Sequence, residues 1–422
     1  MKAMQNRERE SAGQHQGAAM KKGFPTKPLQ SLCDDFKQDI VDGPFGSELK
    51  REDYITEGIP VLKIQNVKPF AIELKKMDYV SVEKFHELRR HSFRRGDIVM
   101  TKLGSPLGVS AIVEDVEEGV IVADLVRVRA QQINTKYLCY HLNSQRTNDF
   151  INSMQKGTTR PRVTLSVVRE LPIYSPPLAE QQRIVGLLDE AFEGLATAKA
   201  NAEKNLQNAR ALFESHLQSV FTQRGPGWVE KRLGDLSRIS YGYTESASAE
   251  KVGPHFLRIT DIKGNGVDWD NVPYCRIDAS SLPKYKLEDG DIVFARTGAT
   301  TGKSYLLSNP PESVFASYLI RVQLSDTKLL PQFVNLFFQS HSYWDTIRAG
   351  VSGSAQGGFN ATKLGELVIP FPKSSEEQMS FVAKLDKLTA ETQRLARLYE
   401  RKLAALEALK KSLLHQAFSG EL

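Results

Sequence analysis

Two stretches of this chain, Leu178 to Thr222 and the C-terminal run Glu376 to Gly420, carry a pattern that only a long helix satisfies. Neither contains a proline. In the first, Ile184, Leu188, Ala191, Leu195, Ala198, Ala202, Leu206, Ala209, Phe213, Leu217 and Val220 recur at three- and four-residue steps. That spacing puts them on one stripe of a helix about 66 Å long. A lone helix cannot bury such a stripe. The partner is the C-terminal run, where Leu385, Leu388, Leu395, Tyr399, Leu406, Leu409 and Leu413 repeat the pattern. Both runs open and close on the same words: Glu180-Gln181 matches Glu377-Gln378, Leu188-Asp189 matches Leu385-Asp386, and Phe221 matches Phe418, at one offset (418 − 221 = 197). The chain is one unit written twice.

The repeat extends into the segments that precede each helix. VLKIQNV (Val61 to Val67) faces FLRITDI (Phe256 to Ile262). RRGDIVMTKLGSPLG (Arg94 to Gly108) faces EDGDIVFARTGATTG (Glu288 to Gly302), and IVADLVRV (Ile121 to Val128) faces VFASYLIRV (Val314 to Val322). Each is an apolar, β-branched run of strand length with a glycine boundary, which predicts an α+β domain built on a sheet in each half. A shorter helical stretch follows in each, Lys136 to Met154 and Pro331 to Ala349, then a polar glycine loop and a proline-rich exit. The expected organisation is a disordered extension over 1–28, a domain over 29–177, a helix over 178–224, a second domain over 225–372 and a second helix over 373–422. Arg224 to Gly227 is the hinge. Two helices of equal length can pair in either sense. Antiparallel pairing, the arrangement expected here, sets the domains at opposite ends about a pseudo-twofold axis, as duplex DNA has local twofold axes.

Composition narrows the function classes. The 41% apolar content supports real cores, and no apolar run approaches the ~18 residues of a membrane span. Three scattered cysteines without a CxxC, Cys33, Cys139 and Cys275, point to a reducing compartment, hence the cytoplasm, without a disulfide framework or zinc knuckle. Met1 to Pro28 lacks the apolar core of a signal peptide. A net charge of +6 and a pI near 9.0 permit a nucleic-acid partner without establishing one.

The tempting catalytic motifs are incomplete. GATTGKS (Gly298 to Ser304) follows a strand as a phosphate-binding loop does, but only Ala299, Thr300 and Thr301 separate its first glycine from GK. The loop needs four residues there to wrap the β-phosphate. The matching turn GSPLGVS (Gly104 to Ser110) has Val109 where the lysine of GKS would stand, so a structural turn is expected. Asn309-Pro310-Pro311 resembles the NPP-aromatic element of adenine methyltransferases, yet Glu312 stands where the ring that stacks on a flipped base is needed. The eight histidines lack ligand spacing. No metal site and no catalytic constellation is expected.

Basic residues at matching places remain: Lys63 with Arg258, Lys102 with Arg296, Arg127 with Arg321. Charge retained in both copies suits phosphate anchoring, although solvated strand faces or internal salt bridges would retain it too. Their neighbours differ: Leu103 against Thr297, Gln65 against Thr260, Asp124 against Tyr318, and Arg160 and Arg162 against Gln356 and Gly358. A shared scaffold with divergent polar tips suggests two readers of different sequences. The candidate DNA contacts are Lys63, Lys102, Arg127, Lys156, Thr159, Arg160 and Arg162 in the first half, and Tyr241, Arg258, Arg296, Thr297, Lys303, Arg321, Ser354 and Gln356 in the second. Two other classes stay open on these residues: a self-sufficient methyltransferase or ATPase, and a coiled-coil adaptor whose domains bind proteins.

The order of domain, LAEQQRIV-type helix, domain and helix, with GDIVFARTGATTGK and the terminal LLHQAFSGEL, resembles the DNA-specificity subunit of Type I restriction-modification systems over residues 29 to 420. The resemblance implies two target-recognition domains reading the halves of a split, asymmetric site, with the helices as a ruler. It implies docking of methyltransferase subunits along helix residues such as Leu188, Leu195, Phe213, Leu385, Leu395, Leu406 and Leu413. S-adenosylmethionine, ATP and Mg would belong to methyltransferase and restriction subunits, and this chain would hold no cofactor. One departure is the first domain, where Leu29 to Val61 spans 32 positions against 23 for Leu233 to Phe256.

Overall fold

The computed structural model describes residues 25–46, 48–157, 161–263, 266–325, 328–351, 358–419 and 421. It divides into two compact units, one made of residues up to Asn201 with Lys402–Leu422, the other of Ala202–Arg401. Both long helices are continuous, Leu178–Thr222 and Ser375–Ser419, and each contributes one part to each unit.

In the first unit a four-stranded antiparallel sheet has the order Ser110–Ile112, Ile98–Thr101, Leu125–Val128, Ile40–Asp42. In the second the same order recurs as Ser304–Leu306, Ile292–Ala295, Leu319–Leu324, Ser237–Tyr241. A parallel pair accompanies each sheet, Ile59–Leu62 with Glu118–Ile121 and His255–Leu257 with Ser313–Phe315. The three repeated words are therefore strands in equivalent places. In VLKIQNV and FLRITDI the strand runs into a one-turn 3-10 helix, closed when the N–H of Lys63 donates to Asn66 Oδ1 (3.0 Å) and that of Arg258 to Asp261 Oδ2 (2.9 Å). The longer Leu29 to Val61 segment of the first domain supplies an extra strand, Tyr54–Ile55, which pairs with Asp78–Val80.

Two expectations need correction. Thr26–Pro28 is not part of an extension: it pairs antiparallel with Pro172–Tyr174, as Trp228–Arg232 pairs with Val368–Pro372. Its three residues are exposed and held by backbone pairing, so no apolar alternation marks them. Residues 1–24 lie outside the described residues. Each short helical stretch is also two helices, Thr135–Leu142 with Gln145–Met154 and Pro331–Phe337 with His341–Val351. A serine makes each break by capping the second helix: Ser144 Oγ accepts the N–H of Thr147 and Ser340 Oγ that of Tyr343, both at 3.4 Å.

The long helices run antiparallel inside each unit. In the first, Ile184 and Leu188 share a core with Leu414, Ala417 and Phe418, and Lys199 pairs with Glu407 at 2.8 Å. In the second, Leu217 and Phe221 share a core with Leu385, and Arg210 pairs with Glu400 at 3.2 Å. The repeated glutamines seat each helix start. Gln181 Oε1 accepts the N–H of Asn134 (2.8 Å) while its Nε2 donates to Pro176 O (2.7 Å). Gln378 does the same with Leu330 (2.9 Å) and Pro372 (2.8 Å). Both are buried, with every bond directed at main chain. The repeated phenylalanines seat the helix ends, Phe418 against Tyr137 and His141, Phe221 against Phe333 and Phe337.

His141 is fully buried in the first of these aromatic groups. Its Nε2 accepts the N–H of Tyr174 (3.1 Å), which leaves the proton on Nδ1 to donate to Thr147 Oγ1 (3.1 Å). Burial first, then the nearby Arg146 charge, pushes the imidazole down to about 3. A folded-state value below the unfolded ~6.5 means that the neutral ring stabilises the fold above pH ~6.5, and that this contribution is lost as pH falls from there toward the folded value. Hydrogen-exchange protection of Thr135–Leu142 should drop by up to about 1.4 kcal/mol per pH unit below 6.5. In His141→Phe, which copies Phe337 of the second unit, that dependence should flatten, and an unchanged pH profile would assign it to another group.

Candidate nucleic-acid interface

Three strand ends and a loop meet at one edge of each four-stranded sheet, and two main-chain hydrogen bonds there recur in both units. The N–H of Lys102 donates to Asp124 O (2.9 Å), and Lys102 O accepts the N–H of Val163 (3.0 Å). Likewise the N–H of Arg296 donates to Tyr318 O (3.2 Å), and Arg296 O accepts the N–H of Phe359 (2.9 Å). Lys102, Leu103, Asp124 and Arg162 thus gather at the first edge, Arg296, Thr297, Tyr318 and Tyr241 at the second. Of the positions whose residues differ between the copies, Leu103 and Thr297, and Asp124 and Tyr318, lie here.

The matched cations do not behave alike. Arg127 and Arg321 are only 4% and 5% exposed, inside strands whose neighbours are also buried. Arg127 donates to the carbonyls of Ser92 (3.1 Å) and Gln38, and burial, then the charge of Arg129, lowers its pKa. Arg321 sits 2.7 Å from Asp291, and burial raises that carboxyl although Arg321 pulls it down. The expectation that this pair anchors phosphates is thereby corrected: both are internal cations, held where solvent does not reach. In the first unit the matching carboxylate, Asp97, instead takes a two-pronged bond from Arg129, 2.7 Å on each arm.

Lys63 and Arg258 are half-buried and committed to neighbours, Lys63 to Asp78 (2.6 Å) beneath the Tyr54 ring (4.2 Å), Arg258 to Asp261 (2.8 Å). Lys102 is buried, 2.6 Å from Asp42, and covered by Phe45, whose ring lies 4.7 Å away and is 57% exposed. Arg296 differs from all of these. It is half-buried, no carboxylate pairs with it among the described residues, and its guanidinium lies 5.0 Å from the centre of the Tyr241 ring. Lys156 and Arg162 are exposed on facing backbone, bridged to each other, with Arg162 also bridged to Leu103. Thr159, Arg160, Ser354 and Gln356 lie outside the described residues.

Lys303 lines a cavity of about 590 Å³ with Thr300, Trp344 and Phe213. The turn it belongs to is structural. Gly302 has φ +94°, its carbonyl accepts the Tyr343 hydroxyl, and a Cβ there would lie 2.8 Å from Ile347. Gly108 repeats this with φ +77° and 2.6 Å to Ile151. Sequence reasoning missed Asp42 and Phe45. Their only sequence signal is an aromatic residue in the proline-glycine turn DGPFG, since the partner they cover is distant in the chain.

The helix residues named for docking are buried or half-buried. Leu188 and Leu385 are buried in the two cores, while Leu195, Phe213, Leu395, Leu406 and Leu413 are half-buried. The apolar stripe is used within the chain, because each helix needs it to pack. Exposed instead are Leu187, Leu212, Leu398 and Leu409.

The profile of the Type I restriction modification DNA specificity domain matches residues 96–206 and 226–401, two copies over most of the chain. The chain belongs to that family. It is 25% identical over 304 residues to the EcoKI specificity subunit of Escherichia coli K12, 68% of this chain and 65% of the relative. With the MjaVIII specificity subunit of Methanocaldococcus jannaschii it shares 22% identity over 326 residues, 72% of this chain and 75% of that one. The chain thus spans about two thirds of the length of the curated relatives it matches. Among solved structures, a chain from work on complex assembly and conformational transition of the type I R-M system superposes with a TM-score of 0.75 at 20% identity, over 96% of this chain and 100% of that one. The HsdS subunit of Thermoanaerobacter tengcongensis gives 0.59 at 20% identity, over 96% and 99%. Both likenesses bear out the fold, two sheet-containing domains joined by two long helices.

The internal and surface cations should separate experimentally. Arg321→Met strands Asp291 as a buried charge and should cost about 3–5 kcal/mol in chemical denaturation, with no change in the salt dependence of DNA binding. Asp42→Asn releases Lys102 and should steepen the slope of log K against log salt by about 0.9. A slope that falls in Arg321→Met would put that guanidinium on the DNA.

Proposed function

We propose that the chain reads a bipartite, asymmetric site on duplex DNA, each domain taking one half, as the non-catalytic specificity subunit of a cytoplasmic Type I restriction-modification complex. The observation that carries this reading is the pair of sheet edges, matched in two main-chain hydrogen bonds and different in side chains. An interface that had to bind one sequence twice would keep its tips as well as its frame. Phosphate contacts would supply affinity that falls with salt, and base-edge contacts about 1–3 kcal/mol of discrimination per good bidentate pair.

The helices serve as the ruler. Each is 45 residues long, which limits the separation of the half-sites to about 66 Å, or roughly 19 base pairs. Partner subunits dock on the outer helix faces. Leu212 and Leu409 are 44% and 48% exposed and stand one repeat apart (409 − 212 = 197), so two equivalent patches are offered to two copies of a methyltransferase subunit. S-adenosylmethionine, ATP and Mg stay with those partners and the restriction subunits.

Sequencing of host DNA for methylated adenine, with the gene intact and deleted, tests the assignment. A split adenine motif should vanish on deletion; its survival would leave this chain without the specificity role. Removing one turn from both helices should change the spacer and leave each half-site as it was. An unaltered spacer would dispose of the ruler.

A further inference from the structure

The three matched pairs of cations contain one member whose charge the chain does not spend on itself. Arg127 and Arg321 are buried, Lys63 and Arg258 hold carboxylates, and Lys102 is locked to Asp42. Arg296 stands on the same main-chain frame as Lys102, with no carboxylate partner among the described residues. Its head is nevertheless fixed. The guanidinium rests on Tyr241, and that ring is held in turn because its hydroxyl accepts the N–H of Ala361 at 3.0 Å. The ring holds the guanidinium over its face, and no acceptor takes its donors among the described residues. A phosphate anchor needs charge and reach, which lysine supplies as well. A planar fork held in one orientation suits two parallel bonds to O6 and N7 of guanine in the major groove.

We propose that Arg296 is a specificity-determining residue of the second domain and reads a guanine, with Tyr241 as the positioning residue that orients it. This rests on the bipartite reading above. The neighbours suit a base edge: Thr297 follows directly, and Tyr318, whose carbonyl holds the Arg296 N–H, is 62% exposed. Both border a cleft of about 660 Å³ that also takes in Thr260 and Arg258. The first domain lacks this reader, since the cation at the matching position is a lysine committed to Asp42. The two half-sites are therefore expected to differ at this place in the frame.

The test uses the complete complex in cells. The methylated motif is determined for the wild-type chain, Arg296→Lys and Arg296→Gln, and the purified complexes are titrated with duplexes at several salt concentrations. One half-site of the wild-type motif should contain a G·C pair whose preference falls about 10- to 100-fold in both variants, the lysine included. The other half-site should be unchanged, which also shows that the variant chains fold and assemble. Arg296→Gln should gain relative acceptance of adenine at the same position. If both variants keep every base preference and Arg296→Gln merely lowers the salt slope by about 1, Arg296 is a phosphate anchor and the proposal is wrong. A wild-type motif with no G·C pair in either half-site overturns it as well. A wild-type chain that directs no split motif at all would instead remove the bipartite reading on which this rests.

Discussion

The structure depends on how each sheet domain is closed by two helix segments that are far apart in sequence. One segment is the start of the helix that follows the domain, seated by a buried glutamine whose amide bridges a short helix and the proline exit. The other is the end of the other long helix, seated by a phenylalanine in an aromatic group. The glutamine supplies direction, because its bonds to main-chain groups have fixed geometry and would each leave a buried polar atom unpaired if the helix rotated. The phenylalanine supplies affinity through area removed from water. Neither domain owns both contacts. Because both helices contribute to both units, each domain depends on chain that lies beyond its own boundaries for a closed core.

This division of labour explains which parts of the architecture were legible in the amino-acid sequence. The helices, their limits and their pairing follow from a long 3.6-residue periodicity that no other element produces. The duplicated words are positions where main chain is satisfied or a core is filled: Gln181 and Gln378, Phe221 and Phe418, Asn66 and Asp261. What was not legible depends on charge partners and on coverage. A lysine ahead of a glycine turn reads as a free cation until Asp42, sixty positions earlier, is found 2.6 Å from it. Arg127 and Arg321 fit phosphate anchors, solvated strand faces and internal salt bridges alike until the burial of the strands around them decides for internal charges. Likewise the apolar helix stripe was visible, but whether it packs inward or receives a partner is decided only by the other helix and the domain against it.

The same sorting bears on the candidate interface. Repetition by itself does not separate a charge kept for binding from one kept for folding, since duplication preserves both. Burial and pairing do. Of six matched cations, two are internal, three are neutralised by a neighbouring carboxylate, and one is poised on an aromatic ring. The frame that carries them recurs in both domains, so the differences between the domains at this place reside in side chains at the strand ends and need no change in the sheet.

The pairing of the first and last strands has an evolutionary consequence. Thr26–Pro28 lies against Pro172–Tyr174, and Trp228–Arg232 against Val368–Pro372, so the chain enters and leaves each domain at neighbouring points. A domain mounted in this way behaves as a cassette. If the domains read DNA as proposed, recombination at those two strands can exchange one for another of different length, such as the longer first domain for the shorter second, without touching the long helices. Variation can then act on the whole reading head at once, and the assembly that reads its output need not change.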